Sequence, residues 1–134
     1  MKGFLKTWSI AFAAGVAGAL ANSLAVWAAG HFDLTAKLGV KIAPALTAAW
    51  LYPRLVWGGI WGLQLVLPLA GMSPWKRGLL ISLAPSLVQL FVIFPKMGAA
   101  GTMGLGLGTL TPVVVLLANA IWGLVTSYWA AKSN

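Results

Sequence analysis

The sequence contains no cysteine, one histidine and one acidic residue among its 134 residues. Without cysteine the chain has no disulfides, thiolate chemistry, cysteine-ligated metals or palmitoylation. One carboxylate, Asp33, cannot form an acid–base pair or a zinc site, and one imidazole, His31, cannot supply both axial ligands of a haem. The two residues stand two positions apart, a spacing that does not share a helix face. We therefore predict no catalytic, cofactor-binding or metal-binding residues, and no enzyme activity.

Charged residues of either sign are also scarce. They make up 7% of the sequence, against about 25% in a soluble domain, while 60% of residues are hydrophobic and the mean hydropathy is +0.92. This composition indicates an integral membrane protein. The net charge of +8 comes from nine scattered Lys and Arg residues without the basic stripe of a nucleic-acid-binding face. We expect these cations to contact anionic lipid headgroups, and we expect no nucleic-acid partner.

The apolar residues fall into four long stretches, and a membrane-spanning helix needs about 20 of them. We predict an all-α fold, a single transmembrane domain over residues 1–134 with four transmembrane helices near 8–30, 53–69, 78–94 and 110–130. Residues 31–53 place Lys37 and Lys41 on one face, which predicts an interfacial helix between helices 1 and 2, broken at Pro44. The alternative is the early part of a long, tilted helix 2. Near the start of helix 2, Arg54 is expected to extend its side chain to the headgroups.

Two short motifs recur at nearly the same offset. Residues 15–24 and 78–87 share Gly, Leu, Ala, Ser and Leu in register, and the Ile-Trp-Gly-Leu of residues 60–63 returns at 121–124. The pattern predicts two duplicated helical hairpins, an internal repeat of 8–70 and 76–131. A repeated two-helix unit gives parallel halves related by an axis along the membrane normal.

Small residues recur at helical spacing, and they let another backbone approach closely. Helix 1 has one row formed by Ala11, Gly15 and Ala19 and a second row formed by Ala14, Gly18 and Asn22, and helix 2 has the pair Gly58 and Gly62. Trp61 and Trp122 occupy matching repeat positions, and we expect each to pack over a glycine notch; the alternative is a pair of gates or ligand platforms. These rows exceed the evident need of one bundle, so we expect part of them to form exposed binding faces. The predicted helix-packing residues are Gly15, Gly18, Gly58, Gly62, Trp61 and Trp122.

Each predicted helix also carries amide or hydroxyl side chains at membrane depth. We interpret them as interhelical hydrogen-bonding groups; the alternative is a polar spine for a small solute, or a pocket for a headgroup or quinone. Pro85 predicts a kink in helix 3 unless a neighbour satisfies the carbonyl that it releases. The glycine-rich residues 97–109 predict a plain loop, with a re-entrant element as the alternative. The candidate polar spine comprises Asn22, Gln64, Ser82, Ser86, Gln89 and Asn119.

Residues 78–123 contain a Ser-Leu-Val-Gln-Leu-Phe run, then Phe-Pro-Lys-Met-Gly at 94–98, then a Trp-Gly pair in the last helix. This segment resembles the C-terminal half of uncharacterised small bacterial inner-membrane proteins of the YagU type. The resemblance implies a bacterial four-helix membrane protein of no established activity. Those proteins have a histidine in the final helix where this chain has Ala118, Asn119 and Ala120, so the resemblance supplies no site residue.

An even number of spanning helices places both termini on one side of the membrane, and the short basic turn at 76–77 favours the cytoplasm for that side. The predicted location is therefore a bacterial inner membrane with both termini cytoplasmic. The predicted function is a structural or accessory subunit that packs against itself, as a homo-oligomer, or against a larger membrane complex through its Gly/Ala faces. The alternatives are a small channel or facilitator for a neutral or anionic solute, and a lipid- or quinone-binding module.

Overall fold

The computed structural model describes residues 2–69 and 71–133, and all regular structure in that part of the chain is helical. Met1, Ala70 and Asn134, which include the ends of the predicted domain and of its first repeat, lie outside the described residues. The helices are α1 (Lys2–His31), α2 (Leu34–Lys37), α3 (Ala48–Gly62), α4 (Pro74–Val88), α5 (Phe94–Lys96) and α6 (Thr111–Lys132). A 3₁₀ turn (Leu63–Val66) extends α3, a π turn (Gln89–Ile93) joins α4 to α5, and 3₁₀ turns (Gly98–Ala100, Thr102–Leu107) precede α6.

Three of these helical stretches, Gly3–His31, Pro74–Lys96 and Thr111–Lys132, are long and apolar enough to cross a membrane. They agree with the predicted class of an all-helical integral membrane protein. The remaining long helix, α3, has 15 residues. At 1.5 Å per residue it measures about 22 Å, less than the roughly 30 Å of a bilayer hydrocarbon core.

The four long helices lie in the order α3–α1–α6–α4, with antiparallel neighbours. Helix α1 contacts α3 on one side and α6 on the other, and α6 contacts α4, whereas α3 and α4 scarcely touch. Residues 2–6 and 128–133 therefore lie at the same end as residues 67–69 and 71–73, and we name this the terminal end. The connections 32–47 and 97–110 lie at the opposite end, which we name the loop end.

Both helical hairpins cross at glycine pairs. A Cβ on Gly15 of α1 would lie 2.9 Å from the Cα of Gly62 in α3, and a Cβ on Gly78 of α4 would lie 2.7 Å from the carbonyl oxygen of Gly123 in α6. Backbone meets backbone at each crossing, so a side chain of any size would force the helices apart. These close approaches explain why glycine stands at these positions of the sequence.

The two rows of small residues on helix 1 lie inside the bundle, contrary to the expectation of exposed faces. Ala11 and Ala19 are buried on either side of Gly15, where α3 covers them. The second row faces α6, since a Cβ on Gly18 would lie 2.6 Å from the carbonyl oxygen of Trp122. Because α1 is flanked on both sides by helices of its own chain, neither row is available to a partner protein.

The predicted interfacial helix is wrong. Helix α2 has only four residues, and the chain then runs without regular structure from residue 40 to 47. Gly39 adopts a φ of +72°, and its successor Val40 is buried. The backbone N–H of Lys41 donates to the carbonyl oxygen of Leu107 at 2.9 Å, which ties this connection to the other one at the loop end. Tertiary contacts with the second connection replace the helix that the lysine spacing favoured.

The predicted start of helix 2 at Pro53 is also wrong. Helix α3 begins five residues earlier, at Ala48, because the Thr47 hydroxyl caps it by accepting from the backbone N–H of Trp50 at 3.2 Å. Pro53 therefore lies within the helix.

Pro85 lies in the middle of α4, where it releases the carbonyl of Ile81 from helical bonding. The side-chain Nε2 of Gln64 donates to that carbonyl oxygen at 3.0 Å. The sequence predicts a kink at Pro85 unless a neighbour satisfies this carbonyl. In the structure that neighbour is Gln64, from the 3₁₀ turn that extends α3. Helix α4 continues to Val88 before it widens into the π turn.

The two hairpins run in the same direction, but the structure does not show symmetric halves. The matching glycine crossings agree with a duplicated hairpin. However, a twofold axis along the membrane normal would exchange α1 with α4 and α3 with α6. The contact between α1 and α6 would then require an equal contact between α4 and α3, and these two helices scarcely touch. The space between them is the main asymmetry of the fold.

Candidate functional site

A cavity of about 910 Å³ lies between α3 and α4, with α1 and α6 as its back wall. We name it the groove. It reaches from the connections at the loop end down to the level of the two matching tryptophans, near the middle of the bundle. The principal lining residues are Arg54, Trp57, Gly58 and Trp61 of α3, Pro85 of α4, Gln89 and Ile93 of the π turn, Ala19 and Asn22 of α1, and Ala118, Asn119 and Trp122 of α6.

The groove forms because α3 and α4 meet at only one end. Gln64 of the α3 extension contacts the Ile81 carbonyl toward the terminal end, and the helices diverge from there toward the loop end. Trp57 and Ile93 stand on the two rims, 60% and 48% exposed. At the loop end Lys41, Pro44 and Leu107 cover the groove. The groove therefore opens sideways, on the face where lipid would surround the helices, rather than along the bundle axis.

The lining is mostly apolar, and its charged groups are confined to the loop end. The floor consists of Trp61 and Trp122, beside Ala19. Trp122 is 4% exposed and its indole N–H donates to the carbonyl oxygen of Gly15 at 3.1 Å. This contact anchors α6 to the glycine crossing of α1 and α3, so Trp122 both packs over a glycine notch and forms part of the cavity wall.

Arg54 points into the bundle and lines the groove. Its Nε donates to the hydroxyl oxygen of Ser23 at 2.9 Å, and its Nη2 donates to Oδ1 of Asn22 at 2.6 Å. The guanidinium carbon lies 4.6 Å from the centroid of the Trp50 ring. The amide of Asn22 in turn donates to the carbonyl oxygen of Ala118 at 2.7 Å, so one polar cluster joins α3, α1 and α6.

Sequence reasoning placed Arg54 at the membrane surface, with its side chain extended toward the headgroups. The structure turns it inward instead, because Ser23 and Asn22 on α1 present two acceptors that are themselves buried. Among residues 2–69 and 71–133 no carboxylate pairs with this guanidinium. Arginine keeps its charge in proteins, so the cluster carries a positive charge that the described part of the chain does not neutralise.

The candidate polar residues do not form a continuous spine. Asn22, Gln89 and Asn119 line the groove. Asn119 donates to the Ser86 hydroxyl at 3.0 Å and so links α6 to α4. The hydroxyls of Ser82 and Ser86 donate to backbone carbonyls of α4 itself, those of Leu79 and Ser82 respectively, each at 2.7 Å. Gln64 lies beyond the floor, where it donates to the carbonyls of Trp61 and Ile81.

Sequence reasoning missed the roles of Arg54, Ser23 and Lys41. A signal for the first two was present in the chain. If antiparallel helices cross at Gly15 and Gly62, positions whose numbers sum to 77 face each other, and Ser23 and Arg54 satisfy that relation. A second Arg–Ser contact lies at the terminal end, where Nε of Arg77 donates to the Ser127 hydroxyl at 2.8 Å, outside the groove.

His31 and Asp33 lie at the loop end, apart from the groove lining. The imidazole of His31 stacks on the Trp27 ring with centroids 4.9 Å apart and contacts Phe32 edge-on. Asp33 has a positive φ of 63° at the turn before α2. Neither side chain contacts the cluster around Arg54.

No protein-family model matches the chain, and no curated protein or solved structure matches it. The similarity to YagU-type proteins stays a prediction from short motifs. The groove and the residues that line it are therefore the features of this chain that indicate a function.

Proposed function

We propose that this chain is a non-enzymatic, four-helix membrane protein that binds one lipid molecule in the groove between α3 and α4. The observation that supports the proposal is a cavity of about 910 Å³, mostly apolar and open sideways between two diverging helices. Ligand pockets commonly measure about 300–1,000 Å³. A lipid could enter from the bilayer without leaving it.

The distribution of polar groups along the groove favours a lipid over a small polar solute. The apolar floor at Trp61 and Trp122 lies toward the middle of the bilayer, where acyl chains are found, and the cations lie toward one headgroup layer. A channel for a polar solute requires polar groups along a path that continues to the other side. Here α3 and α4 come together at Gln64 and Ile81, beyond the floor. A solute facilitator consequently has less support.

The proposal includes α3 as the fourth spanning helix. Its 15 helical residues and the four residues of the 3₁₀ turn together measure about 30 Å, at roughly 1.5 and 2.0 Å per residue. That length matches the hydrocarbon core of a bilayer. The hairpin duplication is proposed on the matching glycine crossings. The cytoplasmic termini and the bacterial inner membrane are proposed from the loop charges and the YagU-type motifs.

The structural or accessory-subunit hypothesis has lost the feature that favoured it, because both small-residue rows of α1 are covered by the chain's own helices. The accessory-subunit hypothesis makes a separate prediction. Extraction of the tagged protein in mild detergent would give a particle with a stoichiometric foreign partner or a homo-oligomer of defined mass, whereas the lipid-binding proposal requires only the chain and its bound lipid.

Filling the groove is expected to remove the bound lipid. Ala118 lines the back wall and is half-buried, and Ala118→Phe would place a ring in the cavity while leaving the carbonyl that binds Asn22 in place. We expect the amount of lipid retained by the purified protein to fall at least about tenfold, a change that corresponds to 1.4 kcal/mol. Native mass spectrometry of the detergent-solubilised protein measures the bound fraction.

Leu117→Phe is the matched control, because this neighbouring position of α6 is 62% exposed and lies outside the groove. It should retain lipid as the wild type does. Val114→Phe, one turn earlier on the groove wall, provides a second test if Ala118→Phe does not fold. Lipid retention that is equal in the wild type and in both folded groove variants would contradict the proposal. If the purified protein retains a quinone tightly, the ligand of this groove is a quinone instead of a lipid.

A further inference from the structure

We infer that the groove selects lipids with an anionic headgroup, which the guanidinium of Arg54 and the ammonium of Lys41 hold at the loop end. This inference rests on the proposed function, since it names the class of lipid that the same groove would take. It is carried by the geometry of Arg54, by the position of Lys41 and by the distribution of charge along the groove.

Arg54 is held in place with one edge of its guanidinium unused. Ser23 accepts from Nε and Asn22 accepts from Nη2, which uses two of the five N–H groups of an arginine. The edge formed by Nη1 and the second hydrogen of Nη2 carries two parallel donors. A carboxylate or phosphate accepts from such an edge with two hydrogen bonds.

The neighbours of Arg54 restrict its motion before any ligand binds. Ser23 is fully buried and Asn22 is 6% exposed, and the Trp50 ring covers the guanidinium at 4.6 Å. Binding is weakened by the entropy lost when a long side chain becomes immobile. In this fold the side chain of Arg54 is already immobilised before the ligand binds. A headgroup would meet a donor pair that is already oriented.

Lys41 adds a second positive charge to the same end of the groove. It lines the cavity, and its backbone N–H is bound to the Leu107 carbonyl at 2.9 Å, which positions the segment that covers the groove. Asp33 is the chain's one acidic side chain, and it is not among the lining residues. Two cations at one end of a groove whose lining contains no carboxylate create a positive potential that favours an anion.

The test compares two lipids that differ only in headgroup charge. The full-length protein in detergent is incubated with equal amounts of dioleoyl phosphatidylglycerol and dioleoyl phosphatidylcholine, and native mass spectrometry reports the ratio of the two complexes. We expect the wild type to bind the anionic lipid at least about tenfold more than the zwitterionic one. Arg54→Gln should bring the ratio near one, and Lys41→Gln should lower it about fivefold.

Two control variants separate the site from general surface charge. Lys37→Gln removes an exposed lysine four residues before Lys41, outside the groove. Arg77→Lys alters the other arginine that binds a buried serine, at the terminal end. Both should keep the wild-type ratio. Arg54→Lys keeps the charge but loses the paired donors, and it should lower the ratio several-fold.

The outcomes distinguish the two proposals. Binding of both lipids in equal amounts by the wild type would overturn the inference and leave the groove as a lipid site without charge selection. Binding of neither lipid would contradict the proposed function itself. If Arg54→Gln does not fold, Lys41→Gln and Arg54→Lys decide, and an unchanged ratio in both would overturn the inference.

Discussion

Gly15→Ala is expected to lower the free energy of unfolding by about 2–3 kcal/mol, the upper range for an overpacked core position. The new methyl group would meet the carbonyl oxygen of Gly58 and would lie 2.9 Å from the Cα of Gly62. These atoms belong to the backbone of α3, so no side-chain rotation can relieve the contact. A shift of α1 would also strain the hydrogen bond from Trp122 to the Gly15 carbonyl. Unfolding in detergent with increasing sodium dodecyl sulfate measures the change.

Gly3→Ala is the control for this substitution. It lies on the same helix, and a Cβ there would have no neighbouring atom within 4 Å, so it changes the intrinsic preference of the backbone without adding a contact. Its stability should equal or exceed that of the wild type. Equal stability of Gly15→Ala and Gly3→Ala would mean that the helices do not cross as closely as the structure places them.

Gln64→Leu is expected to lower the free energy of unfolding by about 1–2 kcal/mol, because leaving a buried carbonyl without a hydrogen-bond donor costs a free energy on this scale. The affected carbonyl is that of Ile81, which Pro85 deprives of its helical partner. Pro85→Ala restores an N–H at position 85, and that group can donate to the same carbonyl. In the Pro85→Ala background, Gln64→Leu should therefore destabilise much less. The four proteins form a double-mutant cycle, measured by the same unfolding assay.

Gln89→Leu controls for the loss of an amide from the membrane interior. Gln89 lines the groove and makes no hydrogen bond through its side chain to the described residues, so its replacement should leave the stability nearly unchanged. An additive cycle, with Gln64→Leu equally destabilising in both backgrounds, would show that Gln64 acts through its contact with Trp61 alone rather than through the carbonyl that proline releases.

The same helix contacts account for both the matching hairpins and the groove. The two glycine crossings hold α3 against α1 and α4 against α6, and the contact of α1 with α6 joins the hairpins. Because the outer helices α3 and α4 are each fastened to an inner helix, nothing requires them to meet along their length. A chain of four helices in a row thus leaves a sideways opening, whereas a closed bundle of the same helices would not.

The local sequence predicted the positions of three helices that are long and apolar enough to span a membrane, since a long apolar stretch can satisfy its backbone in a bilayer only as a helix. It also predicted the glycines of close approach at Gly15 and Gly62 and the dependence of the Pro85 kink on a neighbouring donor. The local sequence did not predict the secondary structure of residues 31–53. There the lysine spacing and Pro44 favoured one surface helix, while a threonine cap and a contact between the two loop-end connections produced a single turn, an irregular segment and an early start of α3.

The candidate site depended on information that no single stretch of the chain contains. Asn22, Gln89 and Asn119 were identified as polar residues at membrane depth, but their common groove required the order of the helices. Arg54 was assigned to the surface because an arginine near a helix end ordinarily reaches the headgroups. Its inward orientation depends on acceptors 31 and 32 positions away in sequence, on Ser23 and Asn22.

Hydropathy and residue size act locally, so the sequence alone predicts helices that are long and apolar enough to span a membrane and that pack tightly at glycines. The groove, the direction of Arg54 and the partner of the Ile81 carbonyl arise from contacts between segments distant in sequence, and they depend on which helices become neighbours. Packing between small-residue faces made α1 and α6 the inner pair and left α3 and α4 apart. The separation of those two helices is the feature on which the proposed function rests.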